Sequence, residues 1–528
     1  MEKDVLIIGN GSVLTCDPAN RGGSFDLLIR GGRISAIGQR GSLARQYSDA
    51  TVIDATGKLI IPGLVNAHFH PESLLLRPLT EGIHFGLWAH DASIRSAAAQ
   101  LLQQESYDDV RALSLASAFA HVKSGTTAVA VFPPAFDGQA LQILAQTASR
   151  AELRTALILQ TWQHIEQAQA GLKGVKTFFL NLGSDQDFTV YNLSNLSRTS
   201  REMQFPLLAH VAECREDEET VRKNFQKTLG QVMRDLGLLR ADTTLVHCNH
   251  ILEQDLELFE EAGCTIVLCA RSAAIKQTGY PLLRHLAARN IRLAIGTDWA
   301  STDMFEELRF LGQLPHLVSG IPVFSPLELV RMGTINGAIA IGQASEIGSI
   351  EVGKRADLVF LTVQDLRSPI LPASPGAREL AEYLVTYITA RHVTDVMING
   401  QFAVSGSELA TITEADILAG FHATLTKWYA APVVQQELTP LPILMEPAQT
   451  QAHQAKIIPF VAREAADHPE PEGFEEGFTI IGPRPGIPKA DQSSPAAVRP
   501  PIPPAESSLT QPELPTDVRR EFGDEEEV

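Results

Sequence analysis

Between residues 61 and 342 the chain alternates short apolar runs with longer amphipathic stretches. The runs are Leu64–His70, Thr126–Phe132, Arg154–Gln160, Thr177–Leu182, Pro206–His210, Thr243–His247, Thr265–Leu268 and Arg292–Asp298. Eight strand-like runs separated by helical stretches imply a parallel α/β sheet. Eight strands close a barrel, and roughly 250 residues is its usual size. The expected fold class is α/β, a (β/α)8 TIM-like barrel over residues 61–347. Such a barrel collects its reacting groups at the C-terminal ends of its strands. His70, His210, His247 and Asp298 all fall at such ends.

The flanks have a different texture. Val5–Ile8, Asp26–Ile29 and Arg33–Ile37 are short β-like runs separated by glycine-rich turns. The same texture returns at Gly348–Leu361 and Val393–Gly400. Residues 1–60 and 348–410 are therefore expected to pair into one composite β-sandwich beside the barrel. A C-terminal helix is expected within 411–432. Beyond Pro432 the chain is rich in Pro, Glu, Gln and Ser and ends in an acidic stretch, so 433–528 reads as a disordered tail. Two apolar islands in it, Ile457–Val461 and Phe478–Ile481, fit docking on the body and isolated hydrophobes equally well.

The formal charge of −19 argues against general binding to nucleic acid or anionic membranes. The start is polar and lacks the basic segment and apolar core of a signal peptide. No apolar run approaches the roughly 20 residues of a membrane span. The five cysteines are odd in number and scattered, which suits thiols in a reducing cytoplasm better than disulfides. Cys214 and Cys248 adjoin candidate ligands and are read as packing residues. The expectation is a cytoplasmic protein acting on a small molecule, with homo-oligomerisation left open.

The chemistry centres on Asn66-Ala67-His68-Phe69-His70. Alternate side chains of a strand share a face, so His68 and His70 point the same way and Phe69 points opposite. Two imidazoles at a strand end can hold a divalent metal. The pair gains weight from the single His and Asp residues at later strand ends.

With these motifs in place, the chain resembles the amidohydrolase superfamily. It is most similar to the branch of cytosine/guanine deaminases and triazine hydrolases. The resemblance covers roughly Val5 to Gln401. It rests on Pro62–His70, Gly125-Thr126-Thr127, His210-Val211-Ala212-Glu213, Val246-His247-Cys248, Gly296-Thr297-Asp298, Thr334–Ala338 and Gly348–Val359. It implies one divalent metal ion, Zn²⁺ ahead of Fe²⁺, held by His68, His70, His210 and Asp298. Three neutral imidazoles and a carboxylate suit such an ion and leave room for water. Asp298 then also serves as a proton acceptor.

Glu213 is assigned to proton transfer toward a ring nitrogen. The competing reading is an acid at a helix start. His247 is assigned to orienting the hydroxide or developing oxyanion, in preference to His250. Trp88 matches a position that often lines the substrate pocket, although an isolated aromatic also suits core packing. No bridging lysine is visible at the fourth strand, so a mononuclear site is expected.

Two substrate-facing segments depart from the family pattern, Leu182-Gly183-Ser184 and Cys269–Ala274. Arg271 is a candidate partner for an anionic or oxo substituent, with a surface arginine as the alternative. These departures lead us to expect poor activity on cytosine, guanine and S-adenosylhomocysteine. The expected activity is hydrolytic deamination of an N-heterocycle. The alternatives are opening of a cyclic amide, displacement of chloride or alkylthio groups, or a non-enzymatic scaffold with a partner-binding tail.

Overall fold

The computed structural model describes residues 5–80, 85, 106–134, 137–160, 162–172, 175–182, 188–363, 371–372 and 374–430. Trp88 and the 433–528 tail lie outside the described residues.

Eight strands form the barrel: Leu64–Phe69, Thr126–Val131, Arg154–Leu159, Val175–Asn181, Leu207–Val211, Thr243–His247, Thr265–Leu268 and Arg292–Ile295. Each pairs in parallel with the next in chain order. The ends meet where Asp298 N–H donates to His68 O at 2.9 Å and Phe69 bridges to Asp298.

Two strand bounds differ from expectation by two residues or more. The fourth begins at Val175, with irregular pairing between Val175 and Thr177. Lys176 lies inside it but is exposed. The eighth stops at Ile295, because Gly296-Thr297-Asp298 turns across the barrel mouth and Asp298 adopts φ 48.

Interior positions are small or branched: Val65, Ala67, Ala128, Ala130, Ala156, Ile158, Leu208, Val246, Val267 and Ala294. Burying that apolar set is the main force closing the barrel. The alanines leave space for Ala338, Ala340, Ile341 and Ile347, which plug it. The outer faces of the strands belong to the larger core shared with the helices.

The flanking segments build one curled ten-stranded sheet. The first part of the chain supplies Val5–Gly9, Ser12–Leu14, Gly22–Arg30, Arg33–Gln39, Thr51–Asp54 and Lys58–Pro62. The later part adds Leu358–Thr362, Val393–Ile398, Gln401–Ser405 and Glu408–Leu409. The two parts join where Leu358 pairs with Pro62 and Thr362 with Lys58, antiparallel. Ile8, Val13, Leu27, Ile60, Leu358 and Phe360 form its core.

A buried ion pair ties this sheet to the barrel. Arg154, on the third barrel strand, donates to both carboxylate oxygens of Asp357, at 2.6 and 3.2 Å, and also to Asn399. Both side chains of the pair are at most 6% exposed. Removing one partner strands a buried charge. Asp357→Ala should therefore lower unfolding stability by about 3–5 kcal/mol, read from a denaturant titration.

Helix Glu414–Tyr429 is capped by Thr413, whose side chain accepts from Asp416 N–H. Its Trp428 packs with Leu75, Leu76, Leu113 and Trp299. The helix thereby supports the residue that follows Asp298. Among the described residues no helix is long and apolar enough to cross a membrane.

Candidate metal and catalytic site

Local backbone geometry places the site side chains. The register between the first and second strands shifts between Asn66 and Phe69. Val65 and Ala67 face the barrel interior, yet after the shift Phe69 packs outward into the shared core. His68 and His70 are thereby aimed into the mouth. Gly296 has no side chain because His68 passes it; a Cβ there would lie 2.8 Å from His68 Cβ. Ala212, His247, Cys248 and Asp298 all adopt positive φ at strand ends. Such strained non-glycine residues persist only where the surroundings hold them. Asn66 supplies part of that hold. Its Oδ1 accepts from Thr297 N–H at 3.0 Å and its Nδ2 donates to Thr297 Oγ1 at 2.7 Å.

Three imidazole nitrogens converge. His68 Nε2 is 3.1 Å from His70 Nε2 and 3.0 Å from His210 Nε2, and the last two are 3.4 Å apart. Asp298 Oδ1 lies 3.5 Å from His68 Nε2 and 3.3 Å from His70 Nε2. That buried oxygen has no hydrogen-bond partner. Tetrahedral ligands about 2.0–2.1 Å from a zinc ion stand roughly 3.3–3.4 Å apart. The three imidazole nitrogens, and Asp298 Oδ1 beside two of them, therefore stand at spacings that suit a small cation. His70 is further fixed by Glu72, whose Oε1 lies 3.0 Å from His70 Nδ1. That contact keeps the proton on Nδ1 and the Nε2 lone pair toward the centre.

The electrostatics agree. Burial pushes His68 down to about 4 and holds His210 and His247 well below their usual range. These imidazoles are neutral at pH 7, the form that binds metal. Burial alone would raise the Asp298 carboxyl, but Lys276 and the His68 contact hold it well below the usual carboxylate range. Glu213 goes the other way. Burial raises it to about 7 against the pull of Lys276.

Glu213 and His247 flank this cluster. His247 Nε2 is buried without a hydrogen-bond partner, 3.5 Å from Glu213 Oε2. Its ring stacks 5.4 Å from that of His210. His250 instead meets the Thr278 carbonyl at 2.7 Å. Glu213 precedes helix Arg215–Phe225, and Asp217 accepts from the Cys214 N–H at that helix start. The Glu213 carboxylate is free of capping duty and points to Lys276 and His247.

Arg271 already has partners within the protein. Its guanidinium pairs with Glu306 at 2.5 Å and with Ser301 Oγ at 2.9 Å. Glu306 therefore meets its charge in this structure. All five cysteines are buried, and none is in a candidate metal cluster among the described residues.

A model of the amidohydrolase family matches residues 59–403. The chain belongs to that family. Among its relatives, the 5-methylthioadenosine/S-adenosylhomocysteine deaminase of Moorella thermoacetica is 27% identical over 409 residues, which is 74% of this chain and 92% of that protein. An adenosine deaminase from Xanthomonas campestris, solved with bound zinc, shares the fold at a TM-score of 0.70 and 23% identity, over 81% of this chain and 99% of that one. A triazine hydrolase from Arthobacter aurescens does so at a TM-score of 0.70 and 19% identity, over 80% and 99%.

This amidohydrolase site also holds residues that the sequence reading missed. Ser272 Oγ and Lys276 Nζ both donate to Asp298 Oδ2. Phe132 stands 4.8 Å from the His70 ring and 4.7 Å from that of His210. The signal for Phe132 was its place after the second strand. For Ser272 and Lys276 it was their spacing of four after the seventh.

Behind the site, Glu307 is fully buried and accepts from Arg271 N–H at 3.0 Å. Burial raises its carboxyl from 4.5 to about 8. A carboxyl raised in the folded state contributes stability at low pH and loses it as pH rises through the folded value. The loss is on the order of 5 kcal/mol at most, between about pH 4.5 and 8. Glu307→Gln should flatten the fall in melting temperature over that window.

Proposed function

We propose that this protein is a metal-dependent aminohydrolase that releases ammonia from an N-heterocyclic small molecule, with adenine-bearing nucleosides as the first class to test. The observation that carries the reading is the apposition of two groups. One is the cluster of His68, His70, His210 and Asp298 Oδ1, joined through contacts of 3.0–3.5 Å; the other is the Glu213–His247 pair. When bound there, a divalent ion lowers the pKa of a water toward neutrality and supplies the hydrolytic nucleophile. Zinc fits this nitrogen-and-oxygen donor set, and Fe²⁺ is the second choice.

The chain's own residues do the rest. Glu213, raised to about 7, holds a proton near neutral pH and delivers it from Oε2 to a ring nitrogen. That protonation makes the neighbouring ring carbon more electrophilic. His247 Nε2 steadies the charge that develops on the attacking oxygen. Phe132 and Trp299 form apolar walls beside His70, at 4.8 and 5.8 Å between rings, and limit water.

The substrate class follows the deaminase named above, which acts on adenosine derivatives by its name. The sequence departures at Leu182-Gly183-Ser184 and Cys269–Ala274 still favour a substrate other than S-adenosylhomocysteine within that class, so the substrate panel spans several adenine nucleosides.

Zinc-loaded and Fe²⁺-loaded protein should be assayed for ammonia release from adenosine, 5-methylthioadenosine, S-adenosylhomocysteine, guanine, cytosine and an amino-triazine. Turnover is expected on at least one adenine nucleoside. Ammonia from none of the panel would defeat the deaminase reading.

A further inference from the structure

One buried lysine meets both carboxylates of the site. Lys276 Nζ lies 2.8 Å from Glu213 Oε1 and 2.7 Å from Asp298 Oδ2, and its side chain is only 5% exposed. Its ammonium stands 4.9 Å from the Phe85 ring and 5.6 Å from that of Trp299. Aromatic faces accept a cation where water is scarce. Helix Ala270–Lys276 delivers it: Ser272 and Lys276 are four residues apart, share a face, and reach the same Asp298 oxygen.

The partition between the oxygens is clean. Asp298 Oδ2 is taken by Lys276 and Ser272, while Oδ1 faces His68 and His70. Glu213 Oε1 is taken by Lys276, while Oε2 faces His247. We propose that Lys276 is a positioning residue that reserves one oxygen of each carboxylate for structure and the other for chemistry, and that its fixed charge weakens the site's hold on a divalent cation.

The inference rests on the metal-site reading above, and its sign is unusual. Residues that support metal ligands ordinarily strengthen binding, and their loss costs about 10–100-fold in affinity. They do so by accepting a hydrogen bond from the ligand and raising its basicity. Lys276 instead donates to a ligand carboxylate and repels a second cation a few ångströms away. Removing it should tighten binding by about tenfold or more, a modest share of the Coulomb term at that range.

Zinc alone is the probe. Metal-stripped wild type, Lys276→Met, Lys276→Gln and Lys276→Arg are titrated with zinc against a chromogenic chelator. Met and Gln variants should bind zinc about tenfold tighter, and the Arg variant, which keeps the charge, should stay within about threefold of wild type. Turnover of the Met variant should fall even at saturating zinc.

Zinc binding that is unchanged or weaker in folded Met and Gln variants overturns the proposal. So does an Arg variant that binds as tightly as the uncharged ones. If Lys276→Met does not fold, Lys276→Gln decides by the same titration. Failure of both to fold makes Lys276 a structural residue and also overturns the proposal. The metal-site reading fails by a different result: wild type that binds no zinc, or no more than His68→Ala binds.

Discussion

His68→Ala should leave a folded protein without its metal, with turnover reduced by more than about 10²-fold, since even a supporting residue behind a metal ligand can cost that much. His68 Nε2 is the hub of the cluster, 3.1 Å from His70, 3.0 Å from His210 and 3.5 Å from Asp298 Oδ1. Without it, the ligand set loses the atom common to all those contacts. The His68 ring is fully buried, so alanine also leaves a cavity and some stability is lost. Circular dichroism checks the fold and elemental analysis the metal. Equal metal in His68→Ala and wild type would remove the ligand assignment.

Glu213→Gln should keep the metal and lose about 10²–10⁴-fold in turnover, the usual range for a positioned acid or base. Glutamine keeps the shape and can accept from Lys276 through its amide oxygen, but it cannot carry the proton. Metal content equal to wild type, with turnover lost, separates this residue from the ligands. Near-native turnover would return Glu213 to a residue that merely precedes helix Arg215–Phe225.

Much of this architecture is legible in the sequence because two periodicities are strong. Eight apolar runs spaced by amphipathic stretches specify a parallel barrel, and the barrel predicts which strand ends converge. The His-x-His pair is visible because alternation puts both rings on one face, although the register shift after Asn66 is what turns that face into the mouth. The bend that aims Asp298 is less visible. A strand read straight through to Asp298 misses the turn after Ile295, where Asp298 adopts φ 48 and reaches back to His68.

Arg271 and Lys276 show where a sequence cannot choose. Both are cations after the seventh strand, and charge alone favours neither. The helix that carries them advances about 100° per residue. Once Ser272 and Lys276 face Asp298, Arg271 is turned aside toward Glu306. The rotation of that short helix is set by packing across the barrel mouth, which no local pattern records. Glu72 was missed for a similar reason. Its value lies in a contact with His70 Nδ1, and an acid two residues past a histidine is otherwise unremarked.

The central claim is hydrolytic deamination that depends on a metal at the histidine–aspartate cluster. The most direct measurement is ammonia release from the best adenine nucleoside by one preparation in three states: as purified, stripped by a chelator, and reloaded with one equivalent of zinc. The account predicts ammonia equimolar with an oxygen-for-amino product in the first state, none in the second, and recovery in the third. Equal ammonia release from the stripped protein, verified metal-free, would contradict it.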